Sequence, residues 1–321
     1  MWLSTKNLLI VSPIKDAQRA QFAATGVNLV ELDDLNHRVA PSAINIMYGW
    51  KAAIGEQLLA APQSQLEWVH AISAGVDSLP LATFAQRGIK LTNAAGIHAQ
   101  AISQSVLASI LYFVRGLDIA SHNQQKQHWA HHDDQTPHVI DDFKYVIFGT
   151  GHIGQQIARL LKSFGGYTIG VNTTGHPAEY FDDTISIQSL DSRVWQADVV
   201  VNVMPLTDTT HHFFNHELFD QFAHLFLFVN VGRGPVVDSI SVIDGINSGL
   251  IQHAALDVFE TEPLPADSPF WHLPNTLITP HNTGVITHFK KAQAALFLPN
   301  LKQYLTDGTF KTNQVDLTKG Y

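Results

Sequence analysis

Three side chains capable of acid–base and anion-binding chemistry follow three apolar segments in the second half of the chain. Arg233 lies in VNVGRGPVVD, Glu262 in LDVFETEPLP and His281 in ITPHNTG. A guanidinium binds a carboxylate through two parallel hydrogen bonds and polarises a neighbouring carbonyl. An imidazole supplies a proton, and a carboxylate beside it orients the ring and stabilises its charged form. These groups therefore suit chemistry on a 2-oxo acid.

Each of these assignments has an ordinary structural alternative. For Arg233 the alternative is a surface salt bridge, and for Glu262 it is a solvated or capping acid in a loop. Glu260, two residues earlier, competes with Glu262 for the same role. His281 is one of 18 histidines, so its residue type alone also fits a structural or exposed position.

A glycine-rich turn supplies the second chemical signal. The string YVIFGTGHIGQQIARLLKSFG reads as a strand, a turn and an amphipathic helix. Gly149 permits a tight turn, Gly151 lets the backbone approach a pyrophosphate, and Gly154 allows close packing of helix on strand. The helix would begin near His152 and Ile153 and offer its free N–H groups to a diphosphate. We interpret this turn as a dinucleotide-binding site.

The segments that carry these residues belong to a repeating pattern of strands and helices. Strands are predicted at residues 8–11, 27–32, 44–48, 66–72, 145–148, 167–171, 198–203, 225–231, 254–258 and 277–279. Helices are predicted at residues 16–25, 56–60, 98–116, from the glycine turn to 165, and 285–306. The alternation predicts an α/β fold with two Rossmann-like, doubly wound parallel-sheet domains and a cleft between them. Because parallel strands end at one edge, Arg233, Glu262 and His281 are expected to converge.

The same order of segments predicts the domain organisation. Residues 1–97 are expected to form a substrate-binding domain, and residues 98–287 an inserted dinucleotide-binding domain. Residues 288–321 would return to the first domain as a crossover helix and tail. Residues 119–140 are polar and rich in His and Gln, so they are expected to contribute little to a core.

Composition excludes several classes of protein. Hydrophobic residues make up 45% of the chain and charged residues 15%, which is typical of a globular protein. The net charge of -9 disfavours nucleic acid and anionic membrane surfaces as partners. There is no cysteine, so disulfides and thiolate chemistry are excluded. With no signal peptide and no apolar stretch long enough to span a bilayer, we expect a cytoplasmic protein.

Two histidine pairs are the candidate metal ligands in the sequence. They are His131-His132 and His211-His212. No carboxylate or cysteine accompanies either pair at the spacing that metal sites use, so no metal is expected.

The residues after the strand at 167–171 bear on the choice of nicotinamide cofactor. An NAD-preferring site commonly places an acidic residue there to bind the ribose hydroxyls. This chain instead has Asn172, Thr173 and Thr174, followed by His176. These groups can donate hydrogen bonds to a 2′-phosphate, although no arginine is present. NADP(H) is therefore favoured over NAD(H); the alternative is an ordinary polar loop that accepts both cofactors.

Taken together, the motifs resemble the D-isomer-specific 2-hydroxyacid dehydrogenase family. The strings SAGVD, TNAAGIHAQAIS, GTGHIG, NVGRG, LDVFETEPLP and TPHNTG occur in the family's order and span nearly the whole chain. The resemblance implies that Arg233, Glu262 and His281 are the catalytic trio. Two departures concern substrate placement: Gln104 stands where an acidic residue is common, and Asn282-Thr283-Gly284 replaces the usual residues after the histidine.

The resemblance also implies binding roles for six further residues. Backbone groups of Ala74, Gly75 and Val76 would contact the substrate carboxylate. Asp257 would lie near the nicotinamide carboxamide, although it could equally cap or brace a loop. Pro205 and Thr210 would line the adenosine side of the cofactor site.

The resemblance implies an NAD(P)-dependent oxidoreductase that interconverts a small 2-oxo acid and the D-2-hydroxy acid. Phosphoglycerate dehydrogenase and glyoxylate or hydroxypyruvate reductase are both open within this class. A homodimer through the nucleotide-binding domain is expected, since Trp129 in the polar stretch 119–140 has no obvious core position. The alternative is a non-catalytic NAD(P)-sensing binding protein, like the corepressors built on this scaffold.

Overall fold

Two parallel β-sheets organise residues 5–130 and 137–318, the part of the chain described by the computed structural model. Their strands are β1 (Asn7–Ile10), β2 (Asn28–Glu31), β3 (Ile46–Tyr48), β4 (Trp68–His70), β5 (Lys90–Thr92), β6 (Lys144–Phe148), β7 (Tyr167–Asn172), β8 (Asp183–Ser186), β9 (Val199–Asn202), β10 (Leu225–Asn230), β11 (Ile251–Leu256) and β12 (Thr276–Ile278). The α-helices are α1 (Asp16–Ala23), α2 (Ala52–Ala60), α3 (Leu81–Arg87), α4 (Ala99–Val114), α5 (Leu117–Gln125), α6 (His152–Ser163), α7 (Ser192–Trp195), α8 (His216–Phe219), α9 (Ser239–Ser248) and α10 (Phe289–Asp307). The α/β prediction is confirmed.

The first unit combines residues up to 98 with those from 286 onward. Its five strands follow the order β2-β1-β3-β4-β5, and every pair is parallel. Separate apolar clusters cover the two faces of this sheet. Helix α10 belongs to one of them, where Phe297 packs against Trp68 at a ring distance of 5.0 Å. The C-terminal helix therefore completes the core of the first unit.

The second unit comprises Ala99–Val285 and holds a seven-stranded sheet in the order β12-β11-β10-β9-β6-β7-β8. All its pairs are parallel, and its strands are almost continuously apolar because both faces are covered. The order reverses at β6, where the chain runs first outward to β7 and β8 and then to β9 on the other side. Ligands of open α/β sheets bind at such a switch point.

Several short elements were not predicted from the sequence. Strands β5 and β8 and helix α3 have only three, four and seven residues, which is too few for a clear hydrophobic period. The helix predicted from residue 98 ends at Val114, because Gly116 adopts φ 63° and starts α5 in a new direction. Helix α5 buries no residue, as expected for that polar segment.

Among the described residues, no single helix has the length and apolar composition needed to cross a bilayer. Helices α4 and α5 reach that length and composition only when taken together, and they are bent by 68° relative to each other.

Candidate active site

The strands of the second unit end in one row of paired residues. Phe148 pairs with Asn202, Asn202 with Asn230, Asn230 with Leu256, and Leu256 with Ile278. The glycine turn, Arg233, Glu262 and His281 all follow members of this row within a few residues. The parallel register therefore brings the loops that carry these groups to the same edge of the sheet.

Glu262 and His281 form a direct pair. A Glu262 carboxylate oxygen, Oε2, lies 2.6 Å from Nδ1 of His281. The other oxygen accepts a hydrogen bond from the backbone N–H of Phe259 at 2.9 Å, which fixes the carboxylate plane. Because a carboxylate holds the proton at Nδ1, Nε2 is left to exchange a proton with a ligand. The half-exposed His281 side chain keeps that atom accessible to a small molecule.

Asp257 braces the loop that presents His281. Its buried carboxylate accepts hydrogen bonds from the hydroxyls of Thr279 and Thr283, each at 2.5 Å, and from the backbone of Asn282 and Thr283. The His281 N–H donates to the Asp257 carbonyl, and His281 adopts φ 50°. A non-glycine residue in the left-handed region is held there by its surroundings, often at functional sites. Contact of Asp257 with a nicotinamide stays a prediction.

Arg233 leaves the end of β10 between two glycines that are required for close packing. A Cβ at Gly232 would collide with Met204, and one at Gly234 would collide with the backbone of Phe259. The loops after β9, β10 and β11 are therefore in backbone contact on either side of Arg233. Its guanidinium is partly buried and donates to the Gly232 carbonyl at 2.9 Å.

Glu260 has different partners from Glu262. One of its oxygens lies 2.6 Å from Nε2 of His212, and the other accepts from the N–H of Ser239 in the first turn of α9. Burial tends to raise the pKa of Glu260, but the bonds from Ser239 and His212 outweigh it and lower the pKa. Glu260 is thus held at a helix N-terminus, while Glu262 contacts the histidine.

One group of potential metal ligands occurs in the described part of the chain. Ligand atoms of His212, Asp238 and Glu260 lie within 4.8 Å of one another. Asp238 also caps α9 through the N–H and hydroxyl of Ser241. The three side chains therefore already form a capping network. The other candidate ligands, at positions 131 and 132, lie outside the described residues.

The glycine turn has the geometry that diphosphate binding requires. Gly149 adopts φ 106°, which only glycine tolerates well, and a Cβ at Gly154 would collide with the Gly149 carbonyl oxygen. No atom lies within 4 Å of a Cβ placed on Gly151, so that side of the turn is open. Helix α6 begins at His152, and the N–H groups of its first turn have no intrahelical acceptor. The turn therefore fits a dinucleotide phosphate.

The loop after β7 is organised by Asn172. Its Oδ1 accepts from the N–H groups of Thr174 and Gly175, and its Nδ2 donates to the Thr150 hydroxyl and the His176 carbonyl. The Asn172 amide is therefore engaged within the protein. The Thr174 hydroxyl lies 2.9 Å from Nδ1 of His176, and both side chains are exposed beside Thr173. The exposed hydrogen-bonding groups of this loop are therefore hydroxyl and imidazole groups.

Thr210 shapes the turn after β9. Its hydroxyl donates to the Pro205 carbonyl at 2.7 Å and accepts from the N–H of Thr207 at 2.8 Å. These two hydrogen bonds close the segment MPLTDTT into a turn. Thr210 is thus a loop-forming residue in this structure, and its contact with adenosine stays a prediction.

In the first unit, the loop of residues 73–76 presents backbone donors. The carbonyls of Ser73, Ala74 and Gly75 accept from the Ala94 N–H, the Asn93 side chain and the Ser73 hydroxyl, respectively. Within residues 5–130 and 137–318, nothing accepts from the N–H groups of Ala74, Gly75 or Val76. Successive backbone N–H groups can bind an anion where they point into one concavity.

Two buried asparagines at strand ends were missed in the sequence. Asn202 and Asn230 end β9 and β10, and the Asn202 amide donates to the Asn230 Oδ1 at 3.0 Å. They accept from the backbone N–H groups of Met204 and Gly232, respectively, and so fix the loops that carry Pro205 and Arg233. The available signal was a polar residue at the end of an apolar run, as in VVVN and LFLFVN.

Comparisons with known proteins identify the relatives of this chain. Residues 107–283 match the family model of the D-isomer specific 2-hydroxyacid dehydrogenase NAD binding domain. Glyoxylate/hydroxypyruvate reductase B from Yersinia pestis is 30% identical over 250 residues, which cover 76% of each chain.

Two solved structures are also similar to the chain. Phosphoglycerate dehydrogenase from Lactobacillus plantarum is 39% identical with a TM-score of 0.58, covering 97% of this chain and all of that one. The D-isomer specific 2-hydroxyacid dehydrogenase from Xanthobacter autotrophicus Py2, solved with NADPH and MES, is 26% identical with a TM-score of 0.84, covering 99% of this chain and all of that one.

The doubly wound sheet, the glycine turn and these relatives define an oxidoreductase that uses a nicotinamide cofactor. More narrowly, the chain belongs to the D-isomer specific 2-hydroxyacid dehydrogenase family. It is an NAD(P)-dependent enzyme acting on the CH–OH group of D-2-hydroxy acids. The predictions of family and reaction class are confirmed.

Proposed function

We propose that the protein reduces a small 2-oxo acid such as glyoxylate or hydroxypyruvate to the D-2-hydroxy acid, with Glu262 and His281 as its proton-donating pair. The observation that carries this proposal is the 2.6 Å contact between the two side chains at the strand edge that holds the glycine turn. An imidazole held by a carboxylate is a competent general acid when its free nitrogen faces the ligand.

The nicotinamide cofactor supplies the hydride for the carbonyl carbon when it is bound. His281 gives a proton from Nε2 to the carbonyl oxygen, and Glu262 orients the ring at Nδ1. Arg233 binds the substrate through its planar guanidinium and stabilises the negative charge that develops on oxygen. Asp257 keeps His281 in position through the loop that it braces. In the oxidative direction the same imidazole accepts the proton.

We further propose that the backbone N–H groups of Ala74, Gly75 and Val76 bind the substrate carboxylate. Support comes from their lack of acceptors in the described residues, while the carbonyls of the same loop are all engaged. Backbone donors held in this way bind an anion without side-chain reorganisation. Residues 1–97 with 288–321 would then bind substrate, and residues 98–287 would bind the nucleotide.

The function is tested by NADPH oxidation with a panel of glyoxylate, hydroxypyruvate and pyruvate. Turnover with the two-carbon and three-carbon acids, at kcat/KM above about 10⁴ M⁻¹s⁻¹ for the best of them, is the expected result. Tight NADPH binding without turnover of any panel member would contradict the proposed substrate class.

For the cofactor, we propose a modest preference for NADPH over NADH. The residues directly after β7, 173–178, include no carboxylate to repel a 2′-phosphate, and Thr173, Thr174 and His176 are exposed donors there. Thr173→Asp should lower kcat/KM for NADPH by at least about tenfold, since it adds a like charge. Thr173→Ala is the matched control and should change little. A tenfold preference of the wild type for NADH would refute the proposal.

We also propose a homodimer built through the nucleotide-binding unit. The segment around α5 exposes Leu117, Ile119, Trp129 and Val139, and Trp129 is 88% exposed. Exposed apolar side chains that form a contiguous patch mark interaction sites. Trp129→Ala should weaken a dimer seen by sedimentation, whereas Trp271→Ala, at another exposed tryptophan, should not. A monomeric wild type at micromolar concentration would contradict the dimer.

A cytoplasmic location and the lack of nucleic-acid or membrane partners stay predictions from composition.

A further inference from the structure

A buried chain of polar side chains in the first unit leads toward Ile72, which precedes the loop of residues 73–76. The Trp68 indole N–H donates to the Thr92 hydroxyl at 2.9 Å, and that oxygen lies 2.8 Å from Nδ1 of His70. Because an indole can only donate, the Thr92 oxygen accepts from Trp68, and the Thr92 hydroxyl still has its own proton to donate to Nδ1. In that arrangement the neutral His70 ring carries its own proton on Nε2.

Gln293 of α10 is the next member of this chain. Its side-chain Nε2 donates to the carbonyl of Ile72. Its Oε1 and the Nε2 of His70 are both buried without a hydrogen-bond partner in the described residues. A donor and an acceptor left in this way are complementary. Burial lowers the pKa of His70, and Gln293 partly opposes that shift. The amide of Gln293 thus lies between His70 and the start of the loop.

Peptide planarity links the Ile72 carbonyl to the direction of the loop. In a trans peptide, the N–H of each residue points opposite to the carbonyl before it. The carbonyls of Ser73, Ala74 and Gly75 are held by hydrogen bonds, so they set the directions of the N–H groups of Ala74, Gly75 and Val76. The Ile72 carbonyl sets the peptide plane that precedes these three. Its side-chain donor is Gln293, anchored in a helix that comes more than 200 residues later.

We propose that Gln293 is a positioning residue for substrate binding, which aligns the carboxylate-binding N–H groups of the 73–76 loop through the Ile72 carbonyl. This inference rests on the proposed function of that loop. The Gln293 amide is oriented with its NH₂ group toward the Ile72 carbonyl. Gln293 itself contacts neither substrate nor cofactor in this proposal.

The test compares Gln293→Met with Gln303→Met, a control on the same helix whose side chain bonds to the exposed Asp307 and Thr309. Gln293→Met keeps side-chain volume but removes the donor to Ile72. We expect the KM for glyoxylate and the Ki for oxalate to rise about five- to tenfold, the usual worth of one hydrogen bond. The kcat and the KM for NADPH should stay within about twofold, and the control should match the wild type.

Gln293→Asn provides a second variant, because it keeps the amide but shortens its reach. The same selective rise in KM for glyoxylate is expected, so the proposal can be tested even where the methionine variant does not fold. An unchanged KM for glyoxylate in a folded variant, or an equal rise in the KM values for glyoxylate and NADPH, would overturn it.

Amide resonances separate this inference from the proposed function. Oxalate added to the wild-type enzyme should shift the N–H signals of Ala74, Gly75 and Val76. Absence of these shifts overturns both the loop function and the positioning role. Shifts in the wild type together with unaltered kinetics in folded Gln293 variants overturn the positioning role alone.

Discussion

His70 should make the first unit sensitive to acid. The ring is fully buried, with Tyr48 stacked at 5.5 Å and Phe297 at 5.0 Å, and its Nδ1 lies 2.8 Å from the Thr92 hydroxyl oxygen. Burial lowers the pKa of His70 from 6.5 to about 4, and Gln293 opposes this only in part. The folded protein therefore holds His70 neutral under conditions where the unfolded chain binds a proton.

The sign and size of the effect follow from proton linkage. Above pH 6.5 the ring is neutral in both states, so it causes no loss of stability. As the pH falls from 6.5 to about 4, the unfolded chain becomes protonated first and the free energy of unfolding decreases. At about 1.4 kcal/mol for each pH unit, the loss reaches about 3 kcal/mol near pH 4.

The measurement is urea unfolding between pH 7.5 and 4 for the wild type and His70→Asn. Asparagine still offers an oxygen to Thr92 but does not titrate. From pH 7.5 to pH 4, the free energy of unfolding of the wild type should fall by about 3 kcal/mol more than that of His70→Asn. His253, whose pKa burial also lowers, is present in both proteins and cancels. His272→Asn, at an exposed position, is the control; equal pH dependence of the wild type and His70→Asn would refute the reasoning.

The remaining predictions concern the second unit. His281→Gln should lower kcat by about 10²- to 10⁴-fold while the Kd for NADPH changes little, and near-normal turnover would remove it from the mechanism. Glu262→Gln should lower kcat far more than Glu260→Gln, measured at one saturating substrate; the reverse order would reassign the pair. Gly154→Ala should lower Tm, because its Cβ has no room, whereas Gly151→Ala should keep Tm and weaken NADPH binding. Equal Tm values for the two glycine variants would contradict this difference.

The sequence predicted the long, regular elements of the fold well. Apolar runs such as those of β9 and β10 mark buried parallel strands, and the amphipathic stretch after the glycine turn marks a helix. Short elements such as β8 were not predicted, since four residues of mixed polarity show no clear hydrophobic period. Their place in the sheet is fixed by pairing with a neighbour, which is a long-range contact.

By itself, the sequence determined the chemistry that is available: a glycine turn, a guanidinium, two nearby acids and a histidine after parallel strands. It left open whether Glu260 or Glu262 contacts His281, and whether Asp257 braces a loop. The tertiary structure decided both contacts. Glu260 bonds Ser239 and His212, Glu262 contacts His281, and Asp257 accepts hydrogen bonds from residues 279–283. The physical reason is that a hydrogen bond depends on positions within about 3 Å, and for residues far apart in the chain only sheet register and loop packing set such distances.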